Sequence, residues 1–155
     1  MEYSVLKALS KAQKYCAYQE RSQQEVRDKL YSFGLHRNEV ENLITELIDS
    51  GFLKESRFAT AFAGGKFRVK KWGKVKIRRA LEEKKVSEPL IRKALSEIEE
   101  RDYKTALKEL IKAHSKKVVE PNAFKRKYKI ASFAIRRGFE AEMVWEVVND
   151  YFSDI

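Results

Sequence analysis

The feature that most constrains this chain is an internal repeat. An offset of 51 residues aligns Val26 with Ile77, Leu30 with Leu81, Leu35 with Val86 and Val40 with Ile91. The same offset pairs Ile44 with Leu95, Leu47 with Ile98 and Phe52 with Tyr103. A further offset of 53 finds a third copy at Ile130, Ala134, Phe139, Val144, Val148 and Tyr151, and Gly34 matches Gly138 across the first and third copies. Repeats of this length mark arrays of one supersecondary unit, in which each unit has too few apolar positions to be stable alone. Stacking neighbours extends the core. The expected units span residues 1–53, 54–103 and 104–155, and direct stacking predicts an elongated array with scope to curve.

Each unit reads as three helices. Val5, Leu9, Ala12 and Cys16 share one helical face behind Ser4, a candidate cap, and Cys16 on that stripe is expected to be a buried, inert thiol. Ser22 and Glu25 have capping-box spacing, Val26, Leu30 and Phe33 follow as a stripe, and Gly34 suits a left-handed stop. Val40, Leu43, Ile44, Leu47 and Ile48 form the third helix, ended by Gly51. In the second unit Phe58, Phe62, Gly65 and Val69 are the expected stripe of the first helix. Ser87 and Pro89 open the third helix. Pro121 is the expected opening of the second helix in the third unit, and Trp145 lies beside Val148 and Phe152 on the last. The fold expected is all-α, three tandem three-helix units of helix-turn-helix type. With 2 Pro and 6 Gly in 155 residues, little interrupts it.

Charge is uneven along the chain. The formal net charge is +10, and residues 1–53 contribute −1, 54–101 contribute +8 and 102–155 contribute +3. Lys66 to Arg79 holds 8 basic residues and no acid, with Phe67 and Trp72 among them. Such a run attracts phosphates or an acidic protein surface. A second cluster, Lys125, Arg126, Lys127 and Lys129, reads as an extension of the positive surface or as a solvated helix face. No apolar run approaches the roughly 18 residues of a membrane span. The N-terminal MEYSVLKALSKAQ lacks a signal-peptide core, so a cytoplasmic, basic monomer with no membrane partner is expected.

Three short helices with a tight turn suggest a DNA reader whose last helix enters the major groove. Charge argues against it. Residues 37–50, 88–100 and 140–152, the would-be reading helices, each carry four acids against one, two and no bases. Phosphate walls would repel them. The positive charge lies instead at the junction of the first two helices of the second unit. There Phe67 projects away from the Phe58 face, either as a second packing surface or as an exposed contact. Trp72 is a core plug or a stacking residue. Gly73 replaces the Ser22 cap, which would leave helix-start N–H groups open to an anion. Lys74 and Arg78 share one face of that helix, and Lys76 and Arg79 another. Gly64 and Gly65 inside a helix suggest a close helix approach, with a hinge as the alternative.

Catalytic chemistry is poorly represented. His36 aligns with Ser87 as a turn residue, and His114 continues the stripe of Leu107, Leu110 and Ile111. There is no P-loop, no HExxH, no GxSxG and no carboxylate cluster at metal-ligand spacing. One cysteine excludes an intrachain disulfide and a cysteine-based zinc finger. No enzyme activity, cofactor or metal is expected.

From about Leu9 to Phe152 the chain resembles the RecX regulatory proteins, bacterial modulators of the RecA recombinase. YQERSQQEVRDKL, GFLKESRFATAF, KWGKVKIRRALEEKKV and RRGFEAEMVWEVV carry the likeness. Two departures are Lys85, where the family more often has Gly, and Gly64-Gly65, where it has polar or basic residues. The resemblance implies a non-enzymatic regulator of homologous recombination and the SOS response. It would bind the RecA–DNA filament along its groove and restrain ATP hydrolysis, strand exchange or filament extension. The expected contacts are Lys66, Arg68, Lys70, Lys71, Trp72, Lys74, Lys76, Arg78 and Arg79, with Arg57 of the family's RF pair. The partners implied are the filament and single-stranded DNA, with double-stranded DNA left open. The alternatives left open are a general nucleic-acid binder that competes for DNA and an adaptor whose acidic helices dock a basic partner.

Overall fold

The computed structural model describes residues 2–153, with side chains from Ser4 onward. Among these residues there are nine helices and no strand, in three consecutive sets of three. The first set is α1 (Glu2–Tyr18), α2 (Gln23–Ser32) and α3 (Arg37–Asp49). The second is α4 (Glu55–Arg68), α5 (Lys74–Glu83) and α6 (Glu88–Ser96). The third is α7 (Glu100–Ser115), α8 (Ala123–Arg136) and α9 (Ala141–Ser153). The chain forms two compact units: residues up to Phe62 with Leu81–Ala94, and Ala63–Ala80 with the residues from Leu95 on.

In the first unit α1 packs on α2 and α3, and α2 on α3. Ala8, Ala12, Cys16, Val26, Leu30, Val40, Leu43, Ile44 and Leu47 are buried together, and Val5, Leu9 and Phe33 pack at the edge. Ile48 is exposed. The capping box at α2 is complete: Glu25 N–H donates to Ser22 Oγ at 3.0 Å, and Ser22 N–H donates to the Glu25 carboxylate at 2.9 Å. Ser4, in contrast, lies inside α1, because the helix already begins at Glu2. Glu55 accepts the Gln23 N–H at 3.0 Å. Its other oxygen is buried without a partner, and burial pushes this carboxyl above its ordinary value. Burial likewise pushes up the Cys16 thiol.

In the second unit α7 packs on α8 and α9, and α8 on α9. Tyr103, Leu107, Ile111, Ile130, Ala134, Phe139, Val144 and Val148 are fully buried. Pro121 lies outside the helix it was expected to open. Asn122 is the cap, accepting Lys125 N–H on its side chain at 2.9 Å, and α8 starts at Ala123.

Helix α4 buries a different stripe from the expected one. Phe58, Ala59, Ala63 and Phe67 are buried, whereas Val69 is 76% exposed. Alanines at 59 and 63 share a face with Phe67 and admit close neighbours there, so the small side chains, not the large ones, mark the packed side. Phe67 is therefore a packing residue, its ring 5.7 Å from that of Tyr103. The close helix approach expected at Gly64 and Gly65 is also absent. The nearest atoms to a Cβ on Gly64 would be the guanidinium of Arg68, one turn further on, and a Cβ on Gly65 would meet nothing within 4 Å.

The middle helix of each set stops in the same way. Gly34, Lys85 and Gly138 fall at equivalent positions of the repeat, and their φ angles are +82°, +61° and +102°. At two of them the next residue closes the turn: Val86 N–H donates to Leu81 O at 3.1 Å, and Phe139 N–H to Ala134 O at 3.3 Å. This is the Schellman stop, which needs a left-handed residue and favours Gly.

Candidate functional site

The basic run occupies the end of α4, a five-residue turn and most of α5. Lys71, at φ +59°, reverses the chain. Its N–H donates to Phe67 O, and Trp72 N–H to Lys66 O, both at 3.1 Å. The start of α5 is then fixed by backbone contact. Gly73 N–H donates to Arg137 O at 2.8 Å, and Val75 N–H to Gly138 O at 2.9 Å. Between them Lys74 N–H donates to the Tyr103 hydroxyl at 2.9 Å. That hydroxyl donates in turn to the Glu140 carboxylate. Burial, reinforced by this hydrogen bond, pushes the Tyr103 pKa far above the usual phenol value.

This arrangement overturns the expectation of an anion at the α5 start. The N–H groups of Gly73, Lys74 and Val75 are occupied by two carbonyls and a phenol. Gly73 lacks a capping side chain because there is no room for one: a Cβ there would lie 2.3 Å from Gly138 C.

Around this anchored turn the side chains separate into two groups. Trp72 is half-buried, with Lys66 Nζ 4.9 Å and Lys76 Nζ 4.5 Å from its ring. Each such cation–π contact contributes about 0.5–1 kcal/mol near a surface. Lys74 and Arg78 are also half-buried, and Lys74 Nζ lies 4.6 Å from the Tyr103 ring. Arg68, Lys70, Lys71 and Arg79 are exposed. The site therefore has a fixed aromatic and ammonium cluster and a set of solvated cations. Opposed acids are absent from the run itself, so its positive potential persists over several residues.

Arg57 belongs to the first compact unit. Its Nε donates to the Glu20 carboxylate at 2.7 Å and its NH2 to Gly51 O at 3.0 Å. In the second cluster Lys125 is exposed. Arg126 donates to Glu120 O at 2.9 Å, Lys129 pairs with the Glu120 carboxylate at 3.2 Å, and Lys127 Nζ lies 5.9 Å from the Phe152 ring.

Tyr103, Arg137, Gly138 and Glu140 were not singled out as site residues from the sequence, yet they position the start of α5. Arg137 NH2 also reaches Lys70 O at 3.3 Å. The available signal was the pairing of a capless Gly73 with a conspicuous Arg-Arg-Gly turn at 136–138. Among the described residues no group of three His, Cys, Asp or Glu could hold a metal, and no helix is long and apolar enough to cross a membrane.

Comparison with known proteins bears on this surface. Residues 8–47 match the family pattern described as RecX, first three-helix domain; residues 55–95 match the second and 99–148 the third. A regulatory protein RecX of Thermotoga petrophila is 30% identical over 144 residues, covering 92% of this chain and 83% of that one. The chain belongs to the RecX family. Another RecX, from Lactobacillus delbrueckii subsp. bulgaricus, is 31% identical over 107 residues, 69% of this chain but 40% of its own length. The crystal structure of RecX from Lactobacillus salivarius superimposes with a TM-score of 0.87 at 19% identity, covering 97% of both chains, which establishes the shared fold. The relatives are named regulatory proteins. The whole basic run from Lys66 to Arg79 lies inside the segment matched by the second RecX domain.

Proposed function

We propose that this chain is a non-enzymatic regulator of a RecA-type recombinase, acting on the RecA–DNA filament to restrain its ATPase, strand exchange or extension. The observation that carries this reading is the basic run from Lys66 to Arg79, which holds no acid of its own, held on an anchored turn within a RecX-family fold. A groove lined by protein and phosphate calls for fixed positive charge and one rigid aromatic, as Lys66, Trp72 and Lys76 supply. Helices α3 and α9 carry net negative charge and are left outside the proposed contact. The proposed contact set is Lys66, Arg68, Lys70, Lys71, Trp72, Lys74, Lys76, Arg78 and Arg79. Arg57 and the 125–129 cluster serve as secondary contacts.

The test titrates the chain into preformed recombinase filaments while recording DNA-dependent ATPase, with binding to the same bare DNA measured in parallel. ATPase should fall at concentrations well below those that saturate bare DNA. Loss only at saturation means simple competition for DNA and overturns the filament reading. Charge reversal belongs at exposed residues: Lys70→Glu with Arg79→Glu should abolish inhibition at unchanged helical content. Lys74 is a poor choice, because its ammonium sits on Tyr103 beside Glu140.

A further inference from the structure

Arg136 and Arg137 are adjacent cations at the end of α8, and the structure gives them different surroundings. Arg136 is exposed. Arg137 is half-buried and closes α8, its N–H donating to Phe133 O and Ala134 O, both at 3.1 Å. From that position it meets the 69–73 turn twice. Its carbonyl accepts Gly73 N–H at 2.8 Å, and its NH2 donates to Lys70 O at 3.3 Å. One residue, fixed by the helix it ends, therefore grips the segment that carries Lys70, Lys71 and Trp72 from both sides.

The contact at Lys70 O fixes a whole peptide plane. That oxygen belongs to the same planar unit as Lys71 N–H, and the N–H donates to Phe67 O at 3.1 Å. The plane is thus held at both edges. Lys71, which follows it, sits at φ +59°, a conformation that a Cβ disfavours. Holding the plane keeps Lys71 in that state and sets the directions in which the exposed Lys70 and Lys71 side chains leave the backbone.

As a stabilising contact the Arg137 guanidinium is poor. Its Nε is buried with no hydrogen-bond partner. A buried donor left unpaired costs about as much as one hydrogen bond gives back. Charge does not explain the residue either, since Arg136 beside it already offers an exposed cation. What Arg137 supplies is placement. We propose that Arg137 is a positioning residue for the filament contact: it touches no partner, and it orders the Lys70–Lys71 peptide before binding. Order established in the free chain adds affinity without adding a contact. The proposal rests on the filament reading of the Lys66–Arg79 surface.

The test is Arg137→Met, which keeps the apolar stem and removes both charge and donor. The full chain is titrated into preformed recombinase filaments while ATPase is recorded, and the free variant is compared with the parent by urea unfolding and amide exchange. The half-inhibiting concentration should rise about fivefold, the worth of one hydrogen bond. The urea midpoint should stay or rise, and exchange at Lys71 should quicken. Arg137→Lys, which can still donate to Lys70 O, should recover most of the inhibition. In a Lys70→Ala, Lys71→Gly background, Arg137→Met should change inhibition by less than about twofold, because the cations it places are gone. A guanidinium that touched DNA or recombinase itself would keep its full effect there, and that result overturns the proposal. So does unchanged inhibition by Arg137→Met in the parent chain, or a urea midpoint that falls in step with inhibition. Unchanged exchange at Lys71 overturns the clamp with no recombinase present. Failure of the filament reading shows separately, as absence of inhibition by the unaltered chain; it removes the functional half of the proposal, while exchange at Lys71 judges the clamp either way.

Discussion

Gly73 and Gly138 meet backbone to backbone: a Cβ on the first would sit 2.3 Å from Gly138 C, and one on the second 2.4 Å from Lys76 Cβ. The contact seats the start of α5 on the turn between α8 and α9. Gly73→Ala should therefore destabilise by about 1–3 kcal/mol, because the obstructing atoms are main chain and cannot rotate away. Gly65→Ala is the control. Its Cβ meets nothing within 4 Å in a helix interior, so this variant should gain about 0.5–1 kcal/mol. Urea midpoints of the two variants should move in opposite directions.

Lys85 occupies a left-handed stop that Gly34 and Gly138 fill in the other two sets, at φ +61°. A non-glycine residue there costs about 1–2 kcal/mol, partly offset by the greater freedom of Gly in the unfolded chain. Lys85→Gly should raise stability by about 0.5–1 kcal/mol. Lys71→Gly should do the same at φ +59°. On the proposed function the two part company: Lys71→Gly removes a cation from the filament contact and should weaken ATPase inhibition, whereas Lys85→Gly should not.

Tyr103→Phe keeps the ring packing against Phe67 and Phe139 and removes the hydroxyl between Lys74 N–H and Glu140. Two partners then lose a hydrogen bond, one of them a carboxylate. The expected cost is about 1–3 kcal/mol in denaturant unfolding. Faster amide exchange should appear first at Lys74.

Two groups set opposing pH trends. The Glu55 carboxyl is raised by burial, so the folded chain holds its proton more tightly than the unfolded chain does. The stability this gives is present at low pH and is lost as pH rises through the carboxylate range. Glu55→Gln keeps an acceptor for Gln23 N–H and should be more stable than the parent at pH 7, the gap closing towards pH 4. His114 is depressed, by burial first and then by Lys117 and Arg136. Its contribution is present above the ordinary imidazole value and is lost as pH falls below it. His114→Phe should flatten the decline in urea midpoint between pH 7 and pH 5.

The repeat made the helices legible. Caps and stops such as Ser22, Gly34 and Gly51 are local, and local geometry is written in adjacent residues. The face of α4 was misread because its packed side is marked by Ala59 and Ala63, which carry little hydrophobic signal, while Val69 is apolar and points to solvent. The basic surface was legible as charge. Its anchor was not, because Gly73, Tyr103, Arg137 and Glu140 are brought together by tertiary folding over as many as 67 residues. The absence of a cap at Gly73 was visible, but the sequence could not distinguish a vacancy for an anion from a position filled by another turn.

The single thiol of this chain supplies a built-in clock. Cys16 lies in the core of the first compact unit with its ionisation suppressed. A thiol-specific reagent can therefore modify it only as fast as that core opens. The rate of labelling under native conditions then reports the opening equilibrium around α1. A cysteine introduced at exposed Lys70 or Lys125 would react orders of magnitude sooner, so dyes can be attached at either proposed contact with the native sulfhydryl left in place.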